Sequence, residues 1–287
     1  MDLTSPTKIK KLLSKYETKA SKGLGQNFLI DKKVLEKIID SAKIKPTDII
    51  LEVGPGIGTL TQELAQRAKK VVAIEKDKNM VEILEDTLKN LKNIEVINAD
   101  ILKIENWDLI KNFKFKIENY KVVANIPYYI TAPLIRFFLE SINPPEEIIL
   151  MVQKEVAQRI CSKPPDMSLL AVSVQFYAKP KIISYVSKNC FWPAPKIDSA
   201  IIKIVPGTKQ DVSPDLFFKI VKTGFSQPRK QLVNNLATLK SPNGVKLTKE
   251  QASEWLLKNN IEPGQRAETL SIPDWIKLTK SSNIFNI

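Results

Sequence analysis

The chain has 287 residues, 43% hydrophobic and 26% charged, enough for one large soluble domain and a small one, and no apolar run approaches the roughly 20 residues that span a bilayer. Its 44 Lys and Arg outnumber 31 Asp and Glu, a net charge of +13 that favours a polyanionic partner, nucleic acid ahead of an anionic membrane surface. With no histidine, and with Cys161 and Cys190 lacking metal-ligand spacing, Ser-His-Asp and Cys-His triads and most zinc sites are excluded, leaving chemistry driven by positioning and electrostatics.

Residues 1–22 are rich in lysine, including Lys10, Lys11 and Lys22, with Ile9, Leu12, Leu13 and Tyr16 spaced for a short amphipathic helix. A basic arm reaching toward phosphates and a solvated, partly disordered terminus are both open readings. No apolar secretory core is present here, so a cytoplasmic protein is expected. Gly23 and Gly25 then give a turn before Gln26 and Asn27, whose amides can bond a ligand, and Phe28 and Leu29, which pin the segment to the body. The pattern predicts a helix at 31–43.

From 48 to 205 strands and helices alternate. Apolar runs at 49–53, 71–75, 94–98, 120–124 and 148–152 read as strands, and helical spacing recurs at 59–69, 77–90, 131–141, 154–162 and 167–178. Strands at 181–187 and 199–205 follow, the latter expected to close an antiparallel edge. This alternation predicts an α/β fold with a parallel sheet and helices on both faces. A boundary is expected at Pro206-Gly207, separating a domain over 1–206 from a small, basic, all-helical one over 207–287. The second has twelve Lys and Arg against seven Asp and Glu, and helical periodicity at 213–224, 228–240, 247–259 and 269–280.

The first strand ends in Gly54-Pro55-Gly56-Ile57-Gly58, a loop whose backbone can approach a ligand closely. Glu75, ending the second strand, can accept hydrogen bonds from both hydroxyls of a ribose, as in dinucleotide-binding folds. The third glycine comes one residue earlier than in that fingerprint, and Glu52 beside the loop disfavours a pyrophosphate and suits a cation. S-adenosylmethionine, a nucleoside with a sulfonium and no phosphate, fits these demands, with Asp100 placed to accept from the adenine amino group. Asn125-Ile126-Pro127-Tyr128 ends the fourth strand, because Pro127 has no N–H to continue the ladder. An amide, a carbonyl and a ring at a strand's C-terminal edge suit holding the exocyclic amine of a base.

Gly-Gln-Asn-Phe-Leu at 25–29, Glu-Val-Gly-Pro-Gly at 52–56, Asn-Ala-Asp-Ile-Leu at 98–102 and Asn-Ile-Pro-Tyr at 125–128 resemble the ribosomal RNA adenine N6-dimethyltransferases. The run from Phe191 through Trp192, Pro193 and Asp198 to Ala200 resembles the small-subunit (KsgA-type) branch. Gly224 to Leu232 resembles that family's Phe-x-x-Arg-Arg-Lys-x-Leu, with Pro228 in place of the first arginine, a departure at one expected phosphate contact. The resemblance runs from about residue 19 to the C-terminus. It implies a Rossmann-like S-adenosylmethionine-dependent methyltransferase domain with a small C-terminal helical domain. It also implies methylation of N6 on two adjacent adenosines in the 3′-terminal hairpin of 16S rRNA, within an assembling small subunit.

The residues it implies for the cofactor are Asn27, Leu29, Gly54, Glu75, Asp100 and Asn125. Methyl transfer itself builds positive charge on N6, so the useful groups are acceptors, the Asn125 oxygen and the Ile126 carbonyl. The Tyr128 ring would stack on a flipped base, with Phe191 (or Trp192) on its other face. Lys10, Lys11, Lys22, Arg229 and Lys230 form a candidate RNA track. No metal, no membrane and a monomer are expected. The rival readings are a 23S rRNA adenine N6-methyltransferase of the antibiotic-resistance type, a DNA adenine methyltransferase, a non-catalytic RNA-binding assembly factor and an NAD-dependent dehydrogenase.

Overall fold

The computed structural model describes residues 2–21, 23–104, 119–240 and 244–282. The alternating apolar runs form strands β2 (Ile49–Val53), β3 (Lys70–Glu75), β4 (Ile94–Asn98), β5 (Tyr120–Asn125) and β6 (Glu147–Gln153). After them come β7 (Ala178–Val186) and β9 (Ser199–Pro206), and two short strands, β1 (Phe28–Leu29) and β8 (Phe191–Trp192), pair antiparallel with each other. Among the described residues the large sheet has seven strands in the order β4-β3-β2-β5-β6-β9-β7. The first four pairings are parallel, and β6 pairs with β9 antiparallel.

The strand order reverses between β2 and β5, because the chain steps outward from β2 through β3 to β4 and then returns to the other side of β2. Loops leaving the C-terminal ends of those two strands diverge around a crevice, the usual ligand position in open α/β sheets. Helices α2 (Lys32–Ala42), α3 (Thr59–Ala65), α4 (Lys78–Thr87) and α5 (Thr131–Leu139) connect the strands. Central strands are buried on both faces, as their continuous apolar runs require.

The expected edge is corrected. β9 lies inside the sheet between β6 and β7, and β7 is the edge. Burial explains the order. Ser199, Ala200, Ile201, Ile202 and Ile204 of β9 are all buried, so that strand needs cover on both faces, whereas β7 alternates exposed and half-buried residues.

The N-terminal segment is docked. Helix α1 (Pro6–Lys15) buries Ile9, Leu12 and Leu13, with Leu3, against Phe28, Ile57, Met80 and Ile83. The solvated-terminus reading therefore fails for residues 3–15, and the lysines sit on the outer face of a packed helix. Lys15 pairs with Asp86 at 2.7 Å.

The chain divides into two compact units, Met1–Ala157 with Lys179–Pro206, and Gln158–Ala178 with Gly207–Ile287. The expected division at 206/207 thus omits a second crossing. Residues 158–178 join the C-terminal helices because Met167, Ala171, Val172 and Phe176 share their core. The Phe176 and Phe217 rings stack at 4.1 Å within it. Helix α7 (Leu169–Gln175) therefore belongs with α8 (Pro214–Gly224), α9 (Leu232–Leu236), α10 (Lys249–Lys258) and α11 (Ile272–Ser281), while α6 (Lys154–Ile160) spans the crossing. The helix expected at 228–240 forms only over α9. Pro228 lies in the preceding turn, and buried Asn235 holds that turn by donating to the carbonyls of Gly224 and Gln227 at 2.6 and 3.1 Å. Among the described residues no helix is long and apolar enough to cross a membrane.

At the N-terminal end of β5 a buried ion cluster fastens the sheet to α2. The Lys121 ammonium, on a residue 7% exposed, lies 2.9 Å from Asp48 and 3.4 Å from Glu147, and donates to the carbonyls of Ala42 and Lys43. Glu147 also pairs with Lys203. Removing one cation from such a cluster strands its carboxylates. Lys121→Ala is expected to lower unfolding free energy by about 3–5 kcal/mol, measured by urea denaturation. A loss under ~1 kcal/mol would show that the cluster is solvated.

Candidate active site

One cavity at the strand-order reversal is lined by the loops after β2, β3, β4 and β5 and by residues Leu24–Leu29. It gathers Asn27, Leu29, Gly54, Glu75, Asp100, Asn125, Ile126, Pro127 and Tyr128. These positions span a hundred residues of sequence, and the crevice geometry brings them together.

Pro127 sits at the junction. A Cβ on Gly25 would lie 3.3 Å from Pro127 Cβ, and one on Gly54 would lie 3.4 Å from Pro127 Cδ. Both glycines have positive φ, +64° and +68°, so no other residue gives the same close approach without strain.

The acidic wall is built from strand ends. Glu75 is 6% exposed, and its carboxylate accepts from the backbone N–H of Gly56 at 3.0 Å and of Asp77 at 2.8 Å. It therefore ties the loop after β2 to the loop after β3. Burial pushes its carboxyl above the ordinary range against those hydrogen bonds. Glu52 is 1% exposed, and its Oε2 has no hydrogen-bond partner. Burial, with the Glu75 charge adding, pushes the Glu52 carboxyl up to about 8. Asp100 pairs with Lys76 at 3.0 Å and caps the turn at Leu102. An unpartnered buried carboxyl oxygen beside two more acids suits a cationic ligand with hydroxyl and amino groups, and repels a pyrophosphate.

The Asn125–Tyr128 segment lines the same cavity. Asn125 Nδ2 points at the carbonyl of Asn27, 3.4 Å away, which leaves Oδ1 as the acceptor end of the amide. The Tyr128 and Ser199 hydroxyls share a 2.7 Å hydrogen bond, so a buried residue of β9 holds the ring. Ser199 was visible in the sequence only as part of a motif. Tyr129, 56% exposed and lining the cavity, was missed altogether; the doubled tyrosine was the available signal. Gln26, read as a ligand amide, instead donates to Asp77 and accepts from the Ser21 N–H.

Phe191 is a correction. It is 2% exposed and packs with Leu29, Val186 and Ile201, and it is absent from the cavity lining. Its pairing with Leu29 across β1 and β8 explains this, since the ring braces the strand behind the site. Trp192 is half-buried, stacks on Phe28 at 6.5 Å, and has the Lys10 ammonium 5.6 Å from its ring. Lys11 is exposed on α1, and Lys22 lies outside the described residues. In the second unit Arg229 and Lys230 are exposed on the turn held by Asn235.

Residues 17–282 match the family described as Ribosomal RNA adenine dimethylase. The chain is 44% identical over 283 residues to the Ribosomal RNA small subunit methyltransferase A of Alkaliphilus metalliredigens, covering 97% of each. It is 45% identical over 289 residues to the protein of that name from Clostridioides difficile, covering 99% of this chain and 97% of the other. Among solved structures, a dimethyladenosine transferase from Plasmodium falciparum superposes with a TM-score of 0.73 at 29% identity, over 91% of this chain and 98% of that one. The 23S rRNA methyltransferase ErmE superposes with a TM-score of 0.69 at 27% identity, over 88% and 98%. The chain belongs to the ribosomal RNA adenine dimethylase family.

Proposed function

We propose that the protein transfers methyl groups from S-adenosylmethionine to N6 of two adjacent adenosines in the 3′-terminal hairpin of 16S rRNA, giving N6,N6-dimethyladenosine in the assembling small subunit. One observation carries the reading: Asn125-Ile126-Pro127-Tyr128 and the acids Glu52, Glu75 and Asp100 line the same cavity. The small-subunit names of the relatives at 44–45% identity support the 16S substrate over the 23S one. On this reading it acts in the cytoplasm, as a monomer and without a metal.

When bound, S-adenosylmethionine supplies an electrophilic methyl on a sulfonium. Glu75 accepts from its ribose, Asp100 from its adenine amino group, and Glu52 provides negative charge. Asn27, Leu29 and Gly54 complete the wall. The adenine N6 lone pair is delocalised into its ring, so the base is a poor nucleophile until the nitrogen pyramidalises. The Asn125 Oδ1 and the Ile126 carbonyl accept the N6 hydrogens, favour that geometry and stabilise the charge that grows there. Pro127 fixes the carbonyl's direction, and Tyr128, held by Ser199, stacks on the base and offers its ring to the developing cation. Lys10, Lys11, Lys22, Arg229 and Lys230 contact phosphates.

The test is transfer of labelled methyl to unmodified small subunits and to large-subunit RNA, with nucleoside analysis. Dimethyladenosine confined to the small subunit's 3′-terminal hairpin is expected. Asn125→Ala should cut transfer by at least ~100-fold, the scale of losing one transition-state acceptor, with RNA affinity within a few-fold. Equal losses of transfer and RNA affinity would remove Asn125 from the chemistry.

A second outcome concerns protons. Without ligand, Glu52 is protonated below about pH 8. A cation beside it favours the carboxylate, so cofactor binding should release up to one proton just below about pH 8 and strengthen by up to tenfold per pH unit as pH rises there. Calorimetry in buffers of different ionisation enthalpy reads the release directly, and Glu52→Gln should abolish it. Proton uptake would contradict the assignment.

A further inference from the structure

Outside the cavity, the edge strand carries residues that the reaction does not use. Along β7, Lys179, Lys181, Ile183 and Tyr185 are exposed and alternate with half-buried Pro180, Ile182 and Ser184. Strand geometry spaces successive members of the exposed row by about 6.6 Å. Lysines on an edge strand discourage edge-to-edge pairing. That role needs neither the open Tyr185, 52% exposed, nor Ile183, 37% exposed.

A chain of contacts gives the row a direction. The Lys154 ammonium, at the start of α6, lies 5.3 Å from the centre of the Tyr185 ring. The backbone N–H of Lys154 donates to the Asp198 carbonyl at 3.0 Å, and that of exposed Lys188 donates to the Asp198 carboxylate at 3.0 Å. The next residue, Ser199, bonds the Tyr128 hydroxyl. The aromatic end of the row is therefore tied, through Asp198 and the first residue of β9, Ser199, to the tyrosine of the site. β7 itself contains no acid, and the carboxylate nearest in this chain of bonds, Asp198, is already engaged.

We propose that this row binds the unpaired rRNA strand flanking the target adenosines, with Tyr185 stacking on one base and Lys154, Lys179 and Lys181 contacting phosphates. Sequence-tolerant single-strand sites combine an open aromatic face with a line of cations in this way. Charge complementarity selects RNA as the occupant. The inference rests on the reading of the cavity as an rRNA adenine methyltransferase site.

The test uses full-length protein, unmodified small subunits and deproteinised 16S rRNA. Tyr185→Ala should raise KM for small subunits by about tenfold and leave cofactor affinity unchanged, while Tyr185→Phe restores the wild-type KM. The double variant Lys179→Gln with Lys181→Gln should reduce the slope of log affinity against log salt for deproteinised rRNA by about 1.4, two single-strand phosphate contacts. KM values and salt slopes matching wild type would overturn the proposal. So would weaker binding to subunits with unchanged binding to deproteinised rRNA, which would assign the row to a ribosomal protein. The rRNA binding arm needs no catalysis. Failure of the wild-type protein to methylate would therefore sink the functional reading separately from the strip.

Discussion

The site depends on where Pro127 interrupts a strand. β5 is a buried central strand up to Asn125, and a residue without an N–H two positions later forces the chain out of the sheet at its C-terminal edge. Because β5 lies beside β2 across the strand-order reversal, the departing segment meets the glycine loop of β2 directly. Gly25 and Gly54 close on the proline ring from two other parts of the chain. Three stretches far apart in sequence thus share one packing contact, and the ligand-facing groups around it are positioned by backbone, which varies less than side-chain rotamers do. This is the kind of preorganisation that chemistry without an imidazole base requires.

Electrostatics divide the labour between surface and cavity. The protein carries a net +13, yet the cavity wall is acidic at Glu52, Glu75 and Asp100, with Lys76 already paired to Asp100. A polyanion is favoured at the exterior and disfavoured at the acidic cavity wall. A base extruded from its strand carries no phosphate on its Watson–Crick edge and can enter where the backbone cannot. The buried acids are costly in the empty protein, as the raised carboxyls of Glu52 and Glu75 show. A cation resident in the cavity offsets that cost, so the strain of burial becomes selectivity for a positively charged cofactor over a nucleotide.

Placement that depends on chain direction is legible in the sequence, and placement that depends on tertiary cover is not. Strand ends are marked locally, by Gly54, by Pro127 and by polar residues after apolar runs, so the crevice residues could be named before their neighbours were known. Phe191 shows the opposite case. An aromatic beside prolines looks the same whether it faces a base or a core, and only the β1–β8 pairing with Leu29 decides for the core. The edge strand was misassigned because 181–187 and 199–205 are both β-prone, and the deciding difference is which one is covered on two faces. Likewise 167–178 has helical spacing that fits either core. Its place with the C-terminal helices is set by Phe176 stacking on Phe217, a contact between residues 41 positions apart.

The docked N-terminus links these levels. α1 reads as a lysine-rich terminus, and its charge is what the sequence displays first. Its apolar stripe covers Ile57, inside the glycine loop, and Phe28, beside the cavity-lining Asn27 and Leu29. Phe28 in turn packs against the position of Gly56, where an added Cβ would lie 3.3 Å from the ring. The helix is therefore a wall behind the loop as well as a basic surface, with Lys10 over Trp192 on its outer side. A polyanion bound to those lysines would press on the same helix that backs the cofactor loop. The exposed charge and the packing that shapes the cavity are carried by opposite faces of ten residues, which is why neither is separable in the sequence alone.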